Sequence, residues 1–126
     1  MKEKAALLFV ILNTIVILFQ IALAFGAPWG AASMGGKFPG KYPVKMRVVA
    51  LFNACVLGFI SAIVLSKGGL AFGYLQPFSE YSIWLCVVFF ALGSIMNTVT
   101  PSKIERIWAP VAFIQFICCL VLAMVE

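Results

Sequence analysis

An all-α fold, a transmembrane four-helix bundle, is the class this sequence predicts, and three observations predict it. The 126-residue chain is 64% hydrophobic and only 10% charged, whereas a soluble domain is nearer half apolar and a quarter charged; its mean hydropathy is +1.13. The apolar residues gather into four stretches, about 5–25, 48–65, 81–99 and 107–125. At 1.5 Å per residue each would span about 27–32 Å as a helix, close to the roughly 30 Å of a hydrocarbon core. The stretches are apolar nearly all round, so none offers a polar face to water. A backbone in lipid must satisfy its own hydrogen bonds, which segments of this length do as helices. The expectation is one domain, residues 1–126, with short loops and a longer Gly/Pro-rich loop between helices 1 and 2.

The first segment follows Lys2 and Lys4 and contains Ala22-Leu23-Ala24, which resembles a signal-peptide cleavage site. Its full transmembrane length favours a retained helix. Asn13 and Gln20 lie two turns apart on one side of it. The connection that follows, residues 26–43, is broken by repeated Gly and Pro. Its nearly uncharged first half suits either a re-entrant turn shielded by other helices or an ordered surface loop. The second segment repeats Ala50, Ala54, Gly58, Ala62 and Ser66 at every fourth position. Such spacing lets two backbones approach closely, which drives association in lipid. A neighbour within the chain or in another subunit is expected against this strip, with Gly58→Leu disruptive. Asn53 lies near the start of the same segment, and Asn97 closes the third. Before the fourth, Ser102 and Glu105 have capping-box spacing. Pro110 predicts a kink that frees the Arg106 carbonyl. Gln115, Cys119 and Ala123 form a small-to-polar stripe beyond it.

Charge sets the expected orientation. Lys37, Lys41, Lys45 and Arg47 lie in or near the first loop and Lys103 and Arg106 in the third, against Lys2, Lys4 and Lys67 on the opposite side. The positive-inside rule then puts the two richer loops in the cytoplasm and both termini outside, with dual insertion left open. The basic residues form no clustered face for nucleic acid. Trp29, Trp84, Trp108, Tyr42 and Tyr81 fall near segment ends, as an aromatic belt would have them.

Catalytic chemistry has little to work with. There is no His and no Asp, and Glu3, Glu80, Glu105 and Glu126 all sit at segment boundaries. No catalytic residue, metal site or cofactor is implied, and an enzyme is not expected. A proton-coupled carrier would keep a carboxylate at membrane depth. Cys55, Cys86, Cys118 and Cys119 include no Cys-x-x-Cys pair and read as small apolar side chains. Asn13, Gln20, Asn53 and Gln115 are either interhelical hydrogen-bonding groups, each pair contributing on the order of 1 kcal/mol, or the lining of a solute path.

Two stretches carry a resemblance. One is Gly26-Ala27-Pro28-Trp29-Gly30, continuing to Gly35-Gly36, Pro43 and Arg47. The other is Asn97-x-x-Thr100-x-Ser102-x-x-Glu105-Arg106-x-Trp108-x-Pro110. In these motifs and their spacing the chain resembles a family of small four-span bacterial integral membrane proteins of unknown function. The resemblance implies an inner-membrane location and no particular activity. If both motifs lie on one side, Trp29, Arg47, Asn97, Glu105 and Arg106 converge, with a Glu–Arg cluster tying the first loop to the turn between helices 3 and 4. The first helix lacks the Glu of small multidrug exporters. Residues 92–97 lack the Thr/Ser-rich break of fluoride channels, whose length and span number are similar. The expected role is an accessory, scaffold or lipid-interacting subunit, and the alternative is a homo-oligomeric small channel or facilitator. Expected partners are the lipid bilayer and either a second copy or another membrane protein, with no nucleic acid.

Overall fold

The computed structural model describes residues 2–125 and contains four long helices: α1 (Lys2–Ala24), α2 (Val44–Lys67), α3 (Gln76–Val99) and α4 (Trp108–Met124). All four are long and apolar enough to cross a membrane, and no strand occurs among the described residues. α2 and α3 begin four to five residues before their apolar stretches, because a polar first turn is as helical as the turns after it. Pro77 sits in the first turn of α3, where its missing N–H costs nothing.

Around the bundle α1 packs on α2 and α4, and α3 packs on α4. Neighbours are antiparallel, so the molecule has two distinct ends. One carries the long first loop and the α3–α4 turn. At the other, Lys2 lies beside Gly68 and Gly69, next to the end of α2. The two groups of basic residues separate accordingly.

The Lys67 half is solidly packed. Phe9, Ile60, Val64, Ile83, Cys119 and Leu122 form its centre, with Phe9 edge-on to Phe90 at 5.1 Å between ring centroids. A Cβ placed on Gly68 would lie 2.6 Å from Ala6 Cβ, so α1 and α2 touch there because Gly68 has no side chain. Ser66 donates to Ser79 (3.3 Å), and Gln76 donates to the Ser66 carbonyl, pinning α2 to α3. Lys67 is buried, with its Nζ 2.7 Å from the Val125 carbonyl oxygen and 3.3 Å from Glu80. A smaller cluster of Leu23, Tyr42, Met46 and Ala50 joins α1 to α2 beneath the first loop.

Several sequence expectations change at this level. The small-residue strip on α2 is not one face. Each four-residue step advances about 40° around a 3.6-residue helix, so Ala50 and Ala54 are buried, Ala62 is half-buried, and Gly58 faces outward with open space around it. The line that meets α1 runs instead through Leu57, Ser61 and Gly68. Pro110 is the third residue of α4, within the first turn, so it breaks no interior bond. The Arg106 carbonyl accepts from the Trp108 amide. Tyr42 is no belt residue: it is 2% exposed, and its hydroxyl is the one buried side-chain polar atom without a partner among the described residues. Trp29, Trp84 and Tyr81 are exposed.

Candidate functional site

Amides in an apolar helix need partners, and the four helices sort them into two groups. Asn13 is completely buried and fully used. Its amide donates to the Leu57 carbonyl (2.9 Å) and to the Ser61 hydroxyl (2.7 Å), and its carbonyl accepts from Gln115 (3.1 Å). Three helices are joined at one residue. This network forms the floor of a cavity.

The cavity has a volume of about 420 Å³ and lies between the four helices in the half beneath the first loop. α2 and α3, pinned together at Ser66 and Ser79, diverge here and leave Phe52 and Phe89 exposed on either side of an opening toward the bilayer. Gly93 on α3 faces open space, which widens the gap. The walls are mainly aromatic and aliphatic, yet Gln20, Asn53, Asn97 and Gln115 all border the space. The side chains of Gln20, Asn53 and Asn97 make no hydrogen bond with the described residues, and the Gln115 carbonyl oxygen has none either. An amide left bare in hydrocarbon costs several kcal/mol, so three such groups and one free amide oxygen bordering one space define a volume for water or a polar ligand.

The first loop roofs the cavity. It folds into two short 3-10 turns, Gly30–Ala32 and Met34–Gly36, and Ala32 and Ser33 reach the cavity wall. Gly30 packs so closely under the carbonyls of Phe38 and Gly40 that any side chain would overlap them. Gly35 adopts φ +68°, a left-handed conformation that glycine tolerates, and turns its amide toward Glu105, 3.1 and 3.3 Å from the two carboxylate oxygens. Thr100 donates its hydroxyl to the same carboxylate. Ser102 donates to the Ala31 carbonyl, and the Trp108 indole N–H donates to the Ala32 carbonyl at 3.0 Å. Trp108 also packs on Phe19 of α1, with ring centroids 4.9 Å apart. The α3–α4 turn therefore holds the roof by three separate contacts.

Half of the expected capping box is present. The Glu105 amide donates to the Ser102 hydroxyl at 3.2 Å, but the Glu105 carboxylate goes across to the first loop instead of back to the Ser102 amide, which donates to Thr100. Nor is there a Glu–Arg cluster. Arg47 donates to the Tyr42 carbonyl (3.0 Å), and Arg106 donates twice to the Thr100 carbonyl (3.1 and 3.0 Å). Both arginines brace backbone turns. Of the five residues expected to converge, Asn97 and Glu105 border the cavity, while Trp29, Arg47 and Arg106 do not. Of the four amide candidates, Gln20, Asn53 and Gln115 border it, and Asn13 lies one bond beneath. Ser33 was not singled out by pattern; Thr100 and Trp108 stood in the second motif with no partner assigned, and the Trp108 partner, the Ala32 carbonyl, lies 76 residues away.

The chain matches no family model, no curated protein and no solved structure. The reading of the site therefore rests on its geometry. Glu105 is the one charged side chain on the cavity wall among the described residues, and no group of three or more His, Cys, Asp or Glu there could hold a metal ion.

Proposed function

We propose that this four-helix membrane protein binds a small, uncharged, hydrogen-bonding solute within the bilayer and acts as a facilitator for it. The observation that carries this reading is that the amides of Gln20, Asn53 and Asn97, and the carbonyl oxygen of Gln115, border one cavity without partners among the described residues. Each offers donors or acceptors that an uncharged polar molecule can satisfy in place of water. An ion of either sign would find no free counter-charge, because the Glu105 carboxylate is already engaged by Gly35 and Thr100. These features weigh toward a facilitator over a purely accessory or scaffold role.

The cavity lies under the first loop, and the Lys67 half beneath it is packed. Passage across the membrane then requires the packed half to loosen or a second copy to complete the path. Six basic residues against three favour placing the roofed end in the cytoplasm with both termini outside. The resemblance to small four-span bacterial proteins favours the inner membrane. The chemistry of the cavity favours binding without catalysis and without a cofactor.

Stopped-flow light scattering on proteoliposomes tests the reading with urea and glycerol as probes. Solute entry should exceed that of protein-free liposomes and fall toward it in Asn53→Leu and Asn97→Leu, both of which remove an unpaired amide without breaking a protein contact. Entry equal to protein-free liposomes for both solutes, with no solute-induced rise in thermal stability, would overturn it.

A further inference from the structure

A second, larger space adjoins the cavity on the first-loop side. This groove of about 720 Å³ runs from the first loop down the gap, bordered by Lys37, Phe38, Met46, Gly93, Met96 and Val99. It shares Ser33, Gly93, Asn97 and Glu105 with the cavity below, so the two adjoin. Its volume is within the range of pockets that hold small ligands.

Three features say what occupies it. The walls are apolar and include three methionines, Met34, Met46 and Met96, whose unbranched side chains adapt to a flexible partner. The groove is bordered by Met96 and Val99, exposed apolar residues on a helix of membrane-spanning length, where lipid chains lie. At its outer rim stands Lys37, exposed and on the end that carries six of the nine basic residues. Glu105, the acidic group in the same groove, is half-buried and turned to the Gly35 amide and the Thr100 hydroxyl.

From these we infer that the groove is a binding site for one anionic phospholipid, its phosphate at Lys37 and one acyl chain lying along Met46, Gly93 and Met96. The acyl chain lies beside the amide-lined cavity, against the Gly93 and Asn97 stretch of α3 that the two spaces share. The inference does not depend on the solute reading, since the groove would hold lipid whether or not the cavity below takes a solute.

Native mass spectrometry on detergent-extracted protein, titrated with palmitoyl-oleoyl phosphatidylglycerol or the matching phosphatidylcholine, tests it. One phosphatidylglycerol should be retained in preference to phosphatidylcholine. Lys37→Gln, a change to an exposed side chain, should lower phosphatidylglycerol retention about fivefold, the effect of one basic group at an anionic surface, and leave phosphatidylcholine retention unchanged. Gly93→Leu should lower retention of both by filling the slot, where the fold has room for the side chain. Equal retention of the two lipids, unchanged retention in either variant, or a doubled protein mass in place of the lipid adduct would overturn it.

Discussion

The two halves of this bundle are made of the same kinds of residue and differ in whether their polar groups have partners. Around Lys67, each of Ser66, Ser79, Ser82, Gln76 and Lys67 is hydrogen-bonded to the chain itself. Beneath the first loop, Gln20, Asn53 and Asn97 are not. In hydrocarbon, a paired polar group holds helices together, and an unpaired one holds space open for something else. The division falls at Asn13, whose donors serve the packed side and whose acceptor receives Gln115 at the cavity floor.

That contrast can be broken most directly at its glycines. Gly68→Val should be the most damaging change, destabilising the protein by about 1–3 kcal/mol through forced separation of α1 and α2, measured by unfolding in mixed micelles. A loss below experimental error would mean that the two helices are not in contact there. Next, Asn13→Leu should cost on the order of 1 kcal/mol, the scale of interhelical hydrogen bonds in membranes. If the variant were as stable as the parent, the three-helix junction would not contribute.

Smaller effects sharpen the roofed side. Glu105→Gln replaces a charged acceptor with a neutral one, and hydrogen exchange at the Gly35 amide should rise roughly fivefold while exchange in the Lys67 half stays constant. A uniform rise would show that the roof and the packed half open together. Smallest of all, Gly93→Ala should be neutral or stabilise by at most about 1 kcal/mol, since it adds a methyl to open space and improves helix propensity. A clear destabilisation would place a neighbouring group against α3 that the open gap does not contain.

The four helices were legible because hydropathy over a membrane-length window is a local property; the observed starts of α2 and α3 lay outside that window because their first turns are polar. Position relative to a neighbour was harder to read. The every-fourth-residue strip on α2 is a true sequence pattern, yet its 40° drift carries Gly58 away from α1. Pro110 looked like an interior proline until the helix start moved to Trp108. Glu105 was visible as a boundary acid at capping spacing, but its partner Gly35 is 70 residues away and donates from the backbone, so no side-chain pattern marks it. Among the amides, the sequence identified the residues and left open which would pair. That choice depends on which helices approach closely enough to offer a partner, a tertiary property that no single segment carries.

The Asn13–Gln115 bond also bears on how the protein is made. Its two ends are 102 residues apart, so at about 5–20 residues per second the first residue waits on the order of 5–20 s for the second to be synthesised. Within that interval α2 is completed, and Ser61 and the Leu57 carbonyl can take both Asn13 donors before α4 exists. The α1–α2 hairpin is thus a self-consistent assembly intermediate with a single acceptor left vacant, and α4 completes the bundle by filling it.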